Sequence, residues 1–325
     1  MTNKICDILG IEKPVISAAM TWITDAEFVA AVSEAGGAGV LGFNAGYDTV
    51  TSDPIETAER LRKQIKKTKE LTDKPFGVNF MIGPAWDDFS KETFKVIKEE
   101  GVDFLLTISM GENNINLEIT EAIKNEGIKI VHRPLDPTIE SMKEAEQFAD
   151  ILIATGFEEG GHTPEHNISL LSIFPSLREA TSLPLMAAGG ITNESSARAV
   201  EAMGADGVYV GTRFIVSKEN PTAENVKQKI VDERAEDMIQ IPSVPGWLRI
   251  MRNKVGREIE KMYEAGASRE EISQYYSERG SYLEGMLLGI EDRGIINVSQ
   301  AINNITDIKT SKEIVDELAR PFEND

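Results

Sequence analysis

Short apolar runs of strand length alternate along the chain with longer stretches whose apolar residues return every three or four positions. The first run spans 14–20, and Asp25 then caps a stretch to Ala35 that sets Phe28, Val29 and Val32 on one face. Gly36 to Gly39 ends it, as glycine does at a helix C-terminus. The unit then repeats. Strands are predicted at 40–43, 75–81, 103–110, 128–133, 150–155, 184–188 and 207–210. Between them lie a helix opened by Asp53-Pro54 and running to about Leu71, one capped by Ser90 and ending at Gly101, and helical stretches at 114–127, 138–148, 169–181 and 194–203. A polar loop at 156–167 follows the sixth strand.

Eight strand-plus-helix units with nearly continuous apolar strands predict an α/β protein, a (β/α)8 TIM barrel whose strands are covered on both faces. An open doubly wound sheet is the alternative, but its glycine fingerprint follows the first strand, and Met20-Thr21-Trp22 contains no glycine. Past Phe214 the texture changes. Residues 215 to about 320 read as helical and charged, with no strand candidate of comparable quality. Pro242-Ser243-Val244-Pro245-Gly246 breaks them, helical stretches follow at 248–265 and 268–290, and a last helix at 310–318 is expected to pack back on the barrel. The predicted division is a barrel over 1–220 and an appended helical lobe over 221–325, which either covers the barrel mouth or makes a homodimer contact.

Length and charge narrow the function classes. The 325 residues suffice for a barrel plus an added segment. With 54 acidic against 34 basic residues, the net charge of −20 argues against nucleic acid and against anionic membrane surfaces as partners. A single cysteine, Cys6, rules out an internal disulfide framework and a multi-cysteine metal site. Neither a signal-peptide pattern nor an apolar run near the ~18 residues of a membrane span occurs. The expectation is a cytoplasmic protein acting on a small molecule.

The seventh and eighth predicted strands end in Gly189-Gly190 and Gly211-Thr212. Glycine at a strand end lets main-chain N–H groups approach a ligand, and the loops after the last two barrel strands form the usual phosphate site. Asn79 stands near the C-terminal end of the third strand, where it can both donate to and accept from a flat heterocycle. His162, just after Gly160-Gly161, can swing toward a substrate and act as general base. Met20 and Thr21 end the first strand and His132 lies near the end of the fifth, so Thr21 and His132 are candidate substrate contacts. A metal site from Glu158, His162 and His166 needs a helix that Pro164 opposes, so no metal is expected. No nucleophile elbow, Walker loop or Ser-His-Asp arrangement occurs, which argues against a hydrolase.

Six collinear pieces carry a family resemblance: Pro14-Val15-Ile16 through Met20, Ala31 through Gly39, Lys74 through Asn79, Glu159-Gly160-Gly161-His162, Ala187 through Ile191, and Gly211-Thr212-Arg213-Phe214. Together they resemble the nitronate monooxygenase (2-nitropropane dioxygenase) superfamily of FMN-dependent barrels, which includes FMN-dependent enoyl-acyl-carrier-protein reductases. The resemblance implies FMN bound by Met20, Asn79, Gly160, Gly161, Gly189, Gly190, Gly211 and Thr212, with His162 as the catalytic residue. The phosphate would lie on the amides of the two glycine turns, and the ring near Met20 and Asn79.

The first implied activity is oxidation of alkyl nitronates with O2 to a carbonyl compound and nitrite. The second is enoyl reduction with NAD(P)H, and the third, of another class, is a barrel that binds flavin or a phosphorylated metabolite without redox turnover. Glu159 departs from the alanine usual before Gly-Gly-His; a carboxylate there repels an anionic substrate unless it faces away. After the fourth strand, Ser109-Met110-Gly111-Glu112-Asn113 replaces the reductases' glycine-rich turn ending in Asn-Pro.

Overall fold

The computed structural model describes residues 3–83, 85–109, 115–244, 246–278 and 282–323. Eleven strands occur among them: β1 Val15–Ser17, β2 Val40–Leu41, β3 Gly77–Met81, β4 Phe104–Ser109, β5 Lys129–Pro134, β6 Ile151–Thr155, β7 Gly161–Thr163, β8 Leu185–Ala188, β9 Gly207–Val210, β10 Met238–Pro242 and β11 Trp247–Met251. Eight of them form one parallel sheet in the order β1-β9-β8-β6-β5-β4-β3-β2. A parallel bridge between Ile16 and Ala38 brings its two ends together, so the sheet curls into the predicted α/β barrel.

The helices are α1 Lys4–Leu9, α2 Ala26–Glu34, α3 Pro54–Leu71, α4 Asp88–Glu100, α5 Leu117–Asn125, α6 Ile139–Ala145, α7 Leu170–Ala180, α8 Glu194–Ala202, α9 Thr212–Ile215, α10 Glu224–Asp232, α11 Lys254–Glu264, α12 Arg269–Glu278 and α13 Ser311–Ala319. Their starts follow local chemistry. The Asp25 carboxylate accepts from the Phe28 N–H, and Asp53 accepts from Ile55 and Glu56 ahead of Pro54 at the first turn.

Strand alternation sorts the side chains into two layers. Ile16, Val40, Leu106, Val131, Ile153 and Met186 point into the barrel, where Ile5 and Leu9 of α1 join them. Val78, Phe80, Leu105, Ile130 and Leu152 point outward against the helices. Ile314, Val315 and Leu318 of α13 belong to that outer layer, and the helix packs on α2, α8 and β1.

Four sequence expectations need correction. Asp87, not Ser90, caps α4: its side chain accepts from the Ser90 N–H, so Ser90 is already inside the helix. The loop after β6 contains a strand, β7. Helix α1 has no counterpart in the predicted elements. Finally, the C-terminal segment holds the antiparallel pair β10 and β11, which with β7 makes a three-stranded sheet. Residues 248–251, predicted as the start of a helix, are therefore extended. Their apolar residues alternate with period two: Ile239, Ile241, Leu248 and Ile250 are buried against Val255, Ile259 and Ile272 of α11 and α12. That period over five-residue runs separated by a Pro- and Gly-containing turn is a hairpin signal.

Met110 to Asn114, which include the predicted end of the fourth strand and start of the next helix, lie outside the described residues, as do Pro245 of the break and residues 279–281 of the second long helical stretch. No helix among the described residues is long and apolar enough to cross a membrane.

Candidate functional site

The C-terminal ends of the barrel strands surround a cavity of about 360 Å³. Met20, Thr21, Asn79, Gly160, Gly161, His162, Gly189, Gly190, Gly211 and Thr212 all line it. Ten of the eleven residues singled out from sequence are thereby brought together.

The eleventh, His132, is elsewhere. Parity on β5 decides this: Val131 faces the barrel interior, so His132 faces the helices and Arg133 faces inward again. The His132 ring is fully buried edge-on to Phe148. It shares hydrogen bonds with Thr107 Oγ1 (2.9 Å, through Nδ1) and Ser109 Oγ (3.2 Å, through Nε2). Burial pushes its pKa down to about 3, so the imidazole is neutral. His132 is a packing residue, and Arg133 takes the place at the cavity wall expected for it.

The two glycine turns lie side by side because β8 and β9 are neighbours. Gly189 and Gly190 both hold left-handed backbone, φ +88° and +78°, which a side chain opposes. Among the described residues, the turn and loop hydrogen bonds of the main chain use none of the Gly189, Gly190 and Gly211 N–H groups as donor. A Cβ on Gly211 would stand 3.5 Å from the Ala18 methyl and 3.9 Å from the Met20 sulfur. At Gly160 the constraint is different: a Cβ would come within 2.3 Å of the Val298 carbonyl carbon, so this glycine admits the C-terminal segment.

That segment supplies a wall that sequence reasoning missed. Tyr282, Met286, Asn297 and Ser299 line the cavity, the first two from around a π-helical turn at Leu283–Leu287. Thr212 Oγ1 accepts from the Ser299 N–H at 2.9 Å, and Ser299 Oγ donates to the Glu158 carbonyl at 2.5 Å. Residues from positions 158, 212 and 299 are thus locked together at one rim.

His162 is set by strand pairing. In the β7–β11 ladder it stands opposite Leu248, while Gly161 stands opposite Arg249 and Thr163 opposite Trp247. Gln240 Nε2 donates to Thr163 Oγ1 at 2.9 Å and secures the far edge. Arg249, 1% exposed, donates to the carbonyls of Phe157 and Glu159 and lies over the Phe157 ring, so the loop leading to His162 is fastened from below.

Asn79 faces inward from β3 between the outward Val78 and Phe80. Its Oδ1 is buried and accepts no hydrogen bond. An amide oxygen in that state is costly unless a ligand N–H meets it. At the end of β1 the chain turns sharply: Trp22 has φ +70°, an outlier for a bulky residue, held by its N–H bond to the Phe43 carbonyl at 2.9 Å. Trp22 packs into the C-terminal cluster while Met20 and Thr21 stay at the cavity. Arg133 and Glu159 form an ion pair on the cavity wall. The Glu159 carboxylate therefore does not stand uncompensated beside the site. Among the described residues no group of three or more His, Cys, Asp or Glu side chains converges as a metal site.

The residues present fit a phosphorylated flat heterocycle: unengaged amides at one end, an unpaired amide oxygen at the other, and soft apolar side chains such as Met20 and Met81 between. The chain is similar to several known proteins. A protein from Rhodococcus jostii named (3aS,4S,5R,7aS)-5-hydroxy-7a-methyl-1-oxo-octahydro-1H-indene-4-carboxyl-CoA dehydrogenase is 31% identical over 254 residues, 76% of this chain and 64% of that protein's own length. A "Probable nitronate monooxygenase" of Staphylococcus haemolyticus is 28% identical over 73% of this chain and 74% of its own. Among solved structures, FabK from Thermotoga maritima superposes with a TM-score of 0.85 at 27% identity, covering 99% of this chain and 96% of that one. A nitroalkane oxidase from Streptomyces ansochromogenes shares the fold, with a TM-score of 0.76 at 21% identity over 98% of each chain. The nitronate monooxygenase family model matches residues 2–320, and the chain belongs to that family of flavin-dependent oxidoreductase enzymes.

Proposed function

We propose that the chain is an FMN-dependent nitronate monooxygenase, converting alkyl nitronates and O2 to a carbonyl compound and nitrite. The observation that carries this reading is the convergence of His162, Asn79 and the two glycine turns on one cavity. The main-chain N–H groups of Gly189, Gly190, Gly211 and Thr212 would hold the FMN phosphate. Asn79 Oδ1, buried and unpartnered, would accept from a ring N–H, and Met20 would offer the ring an apolar contact. Bound FMN supplies the one-electron oxidation that primes the nitronate carbon for O2.

The protein's own part is binding, orientation and proton handling. His162 orients the anion and holds or gives up a proton at its imidazole, on a strand that fixes its approach. Anaerobic mixing tests the reading: an alkyl nitronate should bleach the flavin band near ~450 nm, as reduction of bound flavin does.

A second reading, an enoyl-acyl-carrier-protein reductase, is supported by the likeness to FabK over nearly the whole chain. Bleaching by NADH or NADPH, with none by the nitronate, would select it.

A further inference from the structure

Arg133 and Glu159 stand on the cavity wall from different strands, β5 and the turn after β6, with side chains only 11% and 12% exposed. Arg133 Nη2 donates to Glu159 Oε2, and Arg133 Nε donates to Thr155 Oγ1 at 3.1 Å. The other carboxylate oxygen, Oε1, is buried and accepts nothing. An ionised carboxylate with one bare oxygen is poorly stabilised in such a place. Burial accordingly pushes the Glu159 carboxyl up to about 7, against the pull of Arg133 and Arg249.

Among the described residues around it, only Arg133 is in ion-pair contact with Glu159, although the charge of Arg249 also acts on it. Tyr209, from β9, is kept neutral by burial, its pKa pushed up to about 12, and its hydroxyl accepts from the Ala19 N–H at 3.0 Å. Arg249, from β11, is held by the carbonyls of Phe157 and Glu159. Glu158 turns to the Leu170 N–H at 2.9 Å. His162 shares the cavity from β7.

We propose that Arg133 is the anion-binding group of the cavity and that Glu159 is its internal counter-ion, released and protonated when a small oxyanion such as a nitronate or carboxylate binds. Opening the pair calls for a proton. Without it, Glu159 would be a buried carboxylate with neither oxygen hydrogen-bonded, which is strongly destabilising, and Arg249, held on main-chain carbonyls, makes no ion pair with it. With it, one proton moves from solvent to the bare Oε1, the Arg133–Glu159 pair opens, and an Arg133–oxyanion pair replaces it. The cavity's net charge is the same before and after. This deepens the nitronate reading by naming the subsite for the anion, and rests on that reading only for which oxyanion is physiological.

The test is calorimetric titration of the flavin-loaded protein with propionate, a carboxylate of nitronate size that is not oxidised, in two buffers of different ionisation enthalpy. Close to one proton should be taken up per propionate at pH 8. The dissociation constant should rise about tenfold per pH unit above 7, as single-proton linkage requires. Glu159→Gln should bind more tightly at pH 8, with no proton uptake and no pH dependence, and Arg133→Met should bind nothing. Propionate binding without proton uptake in the unaltered protein, or no binding at all, would overturn the proposal, and neither measurement depends on folding of a variant. Because nothing is turned over, the result is separate from whether a nitronate bleaches the flavin.

Discussion

Leu248 stands directly opposite His162 in an antiparallel ladder, so the histidine nearest the proposed chemistry is placed by a hairpin more than eighty residues further along the chain. Leu248 itself is fully buried. The register next to it brings Arg249 under the loop at Phe157 and Glu159. Arg249→Met should therefore lower turnover while leaving the side chains that line the cavity unchanged. It should also destabilise the fold by about 1.5–3 kcal/mol, the range for a lost hydrogen bond to a charged group. Flavin content, urea midpoint and kcat measured together check this, and an unchanged kcat would disconnect the hairpin from the site.

His162→Ala should retain FMN and lose about 10²- to 10⁴-fold in turnover, the usual contribution of a general acid or base. Visible spectra and steady-state rates on the same preparation separate the two effects. Loss of flavin with rate would make His162 a binding residue instead.

His132 gives the protein an acid-sensitive core. Its folded pKa, about 3, lies below the ordinary 6.5, so the unfolded chain binds more protons between those values. The contribution of neutral His132 is complete above pH 6.5 and declines as pH falls, by about 1.4 kcal/mol per unit. In His132→Gln that slope should vanish. The stability difference between the two proteins, constant above pH 7, should shift by that amount per unit in denaturant titrations at pH 6, 5 and 4. A constant difference would contradict the neutral buried ring.

Gly190→Val should weaken FMN binding. Its φ of +78° is strained for valine, and the new Cβ would lie 3.1 Å from the Glu158 side chain. Equilibrium dialysis checks the affinity, and full flavin retention would count against the turn as a phosphate contact.

Much of this architecture was legible in the chain because each barrel unit carries its own local signals. Asp25 and Asp53 mark helix starts, and the glycines at 36–39, 189–190 and 211 mark ends and turns. The cavity residues were legible for a related reason: a barrel gathers the C-terminal ends of its strands, so sequence position alone brings Asn79, Gly189 and Gly211 together. His132 was misread because proximity to a strand end does not fix parity, and a shift of one residue exchanges the two faces. The alternation of Val131 with Arg133 held the correct answer. Strand β7 is only three residues long and carries no periodicity of its own. The contacts of Tyr282, Asn297 and Ser299 with the cavity join segments far apart in sequence, which no local pattern records.

The central claim is that the turns at Gly189-Gly190 and Gly211-Thr212 hold a phosphate. It is tested most directly by titrating flavin-free protein with FMN and with riboflavin, which differ only in that group, and following the quenching of flavin fluorescence. FMN should bind at least ~100-fold more tightly, about 2.7 kcal/mol for the phosphate contacts. Equal affinities for the two flavins would contradict the account.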